Sequence, residues 1–270
     1  MSLASMAMYV TPPPLAAATA DLWAFLRGEL AAAGVVDLPE ALDTDLAHDE
    51  AWFQPNLLLS QTCGYPYVKT LRGRVQLVAT PVYCHPGCDG PFMRSFIILS
   101  SKNAAGSLAD LRGGIAAINS RDSNSGCNLF RASVAPLAKD GRFFASVIET
   151  GSHGASIDAV SEGRADCAAI DCITFGNIQR FDPERLCGVR ILAETVSGPG
   201  LPFITAADAS GERLTQLRQA LAAAIAEPAL AAVRDTLGLI RFEVLSDDDY
   251  EPLLRLAEEA IAGGYDEFGA

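Results

Sequence analysis

Residues 122–130 read D-S-N-S-G-C-N-L-F, a run of small hydroxyl and amide side chains with a glycine. The run stands between an apolar stretch at 113–118 and a segment with helical spacing at 129–137. In a parallel α/β sheet, the loop after a strand's carboxyl end meets the amino end of the next helix, where several peptide N–H groups have no acceptor. Those groups and the helix dipole attract an anion; Ser123, Asn124 and Ser125 would add side-chain donors, and Gly126 would admit a close backbone approach. Ordinary capping is the other reading, because Ser, Asn and Asp are preferred N-caps, and Asp122 just ahead of the turn opposes an anion. Residues 150–153, T-G-S-H, repeat the arrangement with an imidazole, and His153 can donate to an anion in either tautomer. A third strand end, A-A-I-D-C at 168–172, carries Asp171, which either accepts from a ligand hydroxyl or amine or caps the next helix. Three adjacent strand ends sharing one sheet edge are more specific than any one of them.

Other residues offer weaker chemistry. Ser60, Gln61 and Thr62 follow the apolar residues 57–59 in the same strand-then-polar order. Tyr9 closes the first strand and suits either a cleft wall or the core. Arg94 is either a bidentate clamp for a phosphonate or carboxylate, or a structural ion-pair partner. Cys63, Cys127 and Cys172 lie near turns, where a helix N-terminus can activate a thiol; burial as an inert side chain is the commoner state. Cys84 and Cys88, in C-H-P-G-C, form either a small disulfide loop or two free thiols in a turn. His85 between them makes no metal site, because no second Cys/His cluster completes four ligands. No G-x-x-x-x-G-K-[ST] loop is present and no nicotinamide fingerprint follows the first strand, so neither metal nor cofactor is expected.

The elements that position these residues alternate from end to end, strand-like run then helical pattern, which implies α/β layers with largely parallel sheets. A strand over 4–9, a helix over 15–33 stopping near Gly34, a strand at 57–59, a short helix over 65–71 and a strand over 75–82 form the first group. The second holds strands at 96–99, 115–118, 146–148, 167–170 and 189–196, with helices after Ser125 and over 155–161 and 173–180. Helices over 211–226 and 253–262 and a strand over 240–244 complete the chain. The extended runs near Phe96 and Val196 bracket the second group like two crossing strands. That arrangement implies two lobes, 4–95 with the return segment 198–270, and 96–197; a single continuous sandwich is the plainer alternative.

The chain has 270 residues, half of them apolar, and a formal charge of -13. Nucleic acid and anionic membranes need a positive footprint, so neither is an expected partner. An anionic small ligand must therefore be held by local features. Seven cysteines, an odd number, do not form a disulfide framework and fit a reducing compartment. No run of 18 apolar residues occurs, so no direct membrane insertion is expected. The first residues show no basic region followed by a long apolar stretch and a cleavage site. The compartment is periplasmic if a signal peptide has been removed and cytoplasmic otherwise.

The chain resembles the substrate-binding components of phosphate, phosphite and phosphonate ABC transporters. The likeness is carried by D-S-N-S-G at 122–126, T-G-S-H at 150–153, A-S-I-D-A-V-S-E-G-R-A-D at 155–166 and A-A-I-D at 168–171, with L-L-L-S-Q-T at 57–62 and R-S-F-I-I at 94–98. The resemblance implies a two-lobed type II periplasmic-binding-protein fold that closes around a ligand in the cleft between lobes joined by two crossing strands. It implies an oxyanion bound by Ser123, Asn124, Ser125 and His153, first-lobe contacts near Ser60, Gln61 and Thr62, and an ABC permease as a possible partner. Binders of aminoalkylphosphonates carry a carboxylate where this chain has Ile173, which speaks against such a ligand. The fold also resembles cytosolic enzymes of menaquinone and thiamine-precursor biosynthesis, so an enzyme acting on a small anionic metabolite is the alternative. A third reading is a sensor domain using the Ala-rich helices at 15–33 and 211–237, although packing on a sheet explains them more simply.

Overall fold

The apolar runs become strands and the amphipathic ones helices over residues 2–265 and Phe268, the part of the chain that the computed structural model describes. Two α/β units result, Met1–Cys84 with Pro199–Asp249, and His85–Gly198 with Tyr250–Ala270.

In the first unit five strands lie in the order Leu3–Ser5, Leu57–Gln61, Phe203–Ala206, Val75–Tyr83 and Leu239–Glu243. All five residues of Leu57–Gln61 are buried, which explains its almost unbroken apolar run. The helix Pro13–Ala32 buries Leu15, Ala18, Leu22, Leu26 and Leu30, a spacing of three and four residues that draws one apolar stripe. Proline begins it and Gly34, at φ +84°, ends it, a backbone angle that costs any other residue strain. The helix Gly211–Ala226 starts where Ser210 Oγ accepts from Arg213 N at 3.1 Å, and Arg218 donates to the Leu77 and Val78 carbonyls at 3.1 and 2.9 Å.

In the second unit the order is Val189–Glu194, Ser95–Ser100, Cys167–Asp171, Ile115–Ile118 and Ser146–Glu149. The last three are mutually parallel neighbours, so their carboxyl ends lie on one edge of the sheet. Ile97, Leu99, Ile118, Phe130, Phe143, Phe144, Tyr265 and Phe268 belong to one buried cluster. Each fully buried large side chain contributes about 1.5–3 kcal/mol to holding that edge in place.

Three expectations need correction. The sheets are mixed rather than largely parallel: Phe203–Ala206 runs antiparallel to both its neighbours, and so does Ser95–Ser100. Apolar runs report burial and carry no sign of direction. The first strand stops at Ser5 and does not reach Tyr9. Residues 85–95 and 250–270 belong to the second unit. For the C-terminal segment the cause is visible: Leu253 O accepts from Asn128 Nδ2 at 2.9 Å, and the Phe268 ring lies 5.1 Å from Phe130.

Candidate functional site

The polar edge of the second unit is built by three strand ends. Ile115–Ile118 runs on to Asn119 and then to Ser123, whose hydroxyl accepts from Gly126 N at 3.0 Å and starts the helical run Asn124–Asn128, continued by Leu129–Val134. Ser146–Glu149 leads to Ser152, whose hydroxyl accepts from Ala155 N at 3.1 Å and starts the helix His153–Ser161. Neither first turn holds an acidic residue. No carboxylate therefore competes at either helix start, where the dipole favours a negative group, although the caps already occupy Gly126 N and Ala155 N.

These two helix starts meet. Ser125 Oγ lies 2.9 Å from His153 Nε2, and Ser125 O accepts from Ser95 Oγ at 2.9 Å. Gly126 sits between the flanking side chains: a Cβ there would stand 1.9 Å from Asn119 Oδ1 and 3.0 Å from His153 Cε1. Thr150 Oγ1, 2.7 Å from Ser156 Oγ and 3.0 Å from Ile118 O, ties the second turn to the first strand.

Polar atoms of the residues at this edge are left over. Asn119 Oδ1, Asn124 Nδ2 and His153 Nδ1 are buried and make no hydrogen bond. An orphaned buried donor or acceptor costs about 1–3 kcal/mol, so the cluster is stabilised by anything that completes it. His153 as a residue is partly buried, and burial pushes its pKa down to about 4, against a smaller upward pull from the Ala169 backbone. At neutral pH the ring is uncharged, with one N–H and one lone pair. The ring thus adds no positive charge to this edge, whose polar groups are hydroxyls, amides and helix dipoles.

The remaining candidates are placed as follows. Ser123, Asn124 and Ser125 are all buried, and Ser123's hydroxyl serves as the helix cap. Asp171, 2% exposed, ends the third strand and accepts from Ile173 N at 2.8 Å and Thr174 N at 3.0 Å, the cap of the helix Cys172–Phe181. Arg94 donates to Glu194 at 2.7 Å with both side chains a third or more exposed. In the first unit Ser60, Gln61 and Thr62 are buried; Gln61 Nε2 donates to Leu201 O at 3.1 Å and Thr62 Oγ1 to Cys63 O at 3.3 Å. Tyr9 packs its ring edge-on to Tyr83 at 5.6 Å.

Two residues of the edge escaped the sequence reading. Asn119 follows its strand directly, so the strand-end rule applied to the first residue of the same loop would have found it. Ser95 faces Asp171 across an antiparallel pair, a partnership between distant segments that no local pattern announces. The thiols point away from nucleophilic chemistry: burial raises Cys127 to about 11, and a hydrogen bond with Cys88, then burial, raise Cys172. Among the described residues no group of three or more His, Cys, Asp or Glu side chains could hold a metal ion, and no helix is long and apolar enough to cross a membrane.

A family model described as "ABC transporter, phosphonate, periplasmic substrate-binding protein" matches residues 57–250. No curated protein matches the chain. Among solved structures, PhnD1 from Prochlorococcus marinus in complex with methylphosphonate is similar with a TM-score of 0.75 and 14% identity, over 96% of this chain and 97% of that one. A binding protein component of an ABC phosphonate transporter from Pseudomonas aeruginosa gives 0.73 and 17%, over 90% and 82%. A Xanthomonas citri protein bound to chloride gives 0.73 and 14%, over 97% and 98%. At these identities the solved structures show the shared fold.

Proposed function

The chain belongs to the periplasmic substrate-binding proteins of phosphonate ABC transporters, and from that premise we propose that it captures a small phosphorus oxyanion, a phosphonate, phosphite or phosphate, at the Ser125–His153 edge of its second unit. The family is one of solute-binding transport proteins and not of enzymes, so the enzyme alternative is not favoured. The partner this implies is an ABC permease.

One observation carries the reading: the hydroxyl of Ser125 and the imidazole of His153, from two separate strand-to-helix turns, stand 2.9 Å apart. The Ser125–His153 bond spends one hydrogen of the pair, and with the neutral ring donating Nε2–H to Ser125 Oγ the hydroxyl hydrogen is left for a ligand. A tetrahedral oxyanion placed there receives that hydroxyl, the unpaired Asn124 carboxamide N–H and the Asn124 and His153 amides that open the two helices. Ser123 contributes by position, since its hydroxyl holds Gly126 N. A neutral histidine leaves recognition to directed donors, which suits a protein whose formal charge of -13 repels anions at long range. Asp171 is occupied as a cap, and Ile173 is buried two residues on, so nothing here favours a ligand amine.

Calorimetry of the full chain with methylphosphonate, phosphite, phosphate and 2-aminoethylphosphonate tests the proposal. At least one of the first three binds, the aminophosphonate binds more weakly, and Ser125→Ala weakens binding about 10- to 150-fold, the value of a hydrogen bond to a charged group. Absence of binding by all four anions at millimolar concentration would overturn it.

A further inference from the structure

All seven cysteines are free thiols, yet two of them meet in the second unit. Cys88 Sγ lies 3.6 Å from Cys172 Sγ, across 84 positions of sequence. Cys88 opens a two-residue strand that pairs with Phe92–Met93, and it follows Gly87, whose φ is +93°. A Cβ on Gly87 would stand 2.8 Å from Cys172 Cβ and 3.1 Å from Phe96 Cζ. Glycine is therefore what lets this turn lie against the first residue of the helix Cys172–Phe181. Cys172 is fully buried and Cys88 is partly exposed.

We propose that Cys88 and Cys172 are a dithiol that closes to an intrachain disulfide when the protein meets a disulfide oxidant. The pairing is independent of the ligand site. Two sulfurs already in van der Waals contact need only close to about 2.05 Å, and rotation of the partly exposed Cys88 side chain supplies most of that movement. With oxidised glutathione as the oxidant, the Cys88 thiolate attacks one glutathione sulfur and expels one glutathione thiolate. Cys172 then gives its proton to solvent base and attacks Cys88 Sγ, expelling the second glutathione thiolate. The protein loses two protons and two electrons, and one oxidised glutathione becomes two thiols. The hydrogen bond to Cys88 and burial both hold Cys172 in its thiol form, so the second step is the slow one and quickens as pH rises.

The alternative partner of Cys88 is Cys84, four residues away in C-H-P-G-C. The full chain is incubated with oxidised glutathione at about pH 8, denatured, alkylated and mapped by mass spectrometry without reduction. The expected result is one linked peptide joining Cys88 to Cys172 with the other cysteines alkylated, and a rise in Tm of about 5–10 °C that dithiothreitol reverses. Cys84→Ser retains the link and Cys88→Ser abolishes it. The Cys88 position, being partly exposed, tolerates serine even if Cys172→Ser misfolds. A link between Cys84 and Cys88, a lasting glutathione adduct on Cys88, or seven alkylated thiols would each overturn the proposal.

Discussion

Gly126→Ala is a small change with a sharply defined consequence. The added Cβ would sit 1.9 Å from Asn119 Oδ1, about 1 Å inside the 3.0 Å limit that real Cβ atoms respect, and 3.0 Å from His153 Cε1. Asn119 can swing its carboxamide away, and the imidazole must shift by a few tenths of an ångström. Overpacking of this kind costs about 1–3 kcal/mol, and alanine recovers up to about 1 kcal/mol of helix propensity. The variant therefore folds, with a net loss of roughly 0–3 kcal/mol. Binding suffers more, because both displaced side chains flank the proposed anion position. Losing one hydrogen bond to a charged ligand weakens affinity about 10- to 150-fold. Calorimetry with methylphosphonate alongside thermal unfolding separates the two effects. Wild-type affinity in a folded Gly126→Ala protein would refute the argument that Asn119, Gly126 and His153 shape the site.

His153 also sets a pH dependence. Its native pKa of about 4 lies below the ordinary value of 6.5, so between these limits the unfolded chain takes up a proton that the native chain refuses. Stability should fall by up to about 3 kcal/mol as pH drops from 6.5 to 4, and His153→Gln should flatten that slope in urea titrations; an unchanged slope would remove the assigned cause. Asp171→Ala should cost about 1–2 kcal/mol, since it strips the cap from Ile173 N and Thr174 N, while affinity for methylphosphonate changes little. A large loss of affinity with unchanged stability would instead make Asp171 a ligand contact.

Much of this is legible in the sequence. The strand Ile115–Ile118 and the helix Gly211–Ala226 fall where apolar periodicity places them, because their burial is regular along the element. The Ser125–His153 edge was legible too, since strand-then-polar junctions repeat at the ends of parallel neighbours. Strand direction was not, and Ser95–Ser100 shows why: every residue up to Leu99 is buried, a pattern that a parallel or an antiparallel strand satisfies equally. The contact of Cys88 with Cys172 was hidden because four residues separate Cys88 from Cys84 and 84 separate it from its actual neighbour. Local spacing points to Cys84 rather than to the thiol that Cys88 touches. Assignment of the C-terminal helix to the second unit depends on Asn128 reaching Leu253, again a long-range bond.

Backbone amide NMR during titration with methylphosphonate tests the central claim most directly. The amides of Asn124, Ser125 and His153, at the starts of two helices, should show the largest downfield shifts and saturate together with the calorimetric binding curve. Saturable binding that leaves those three amides unmoved and shifts others elsewhere would contradict the account.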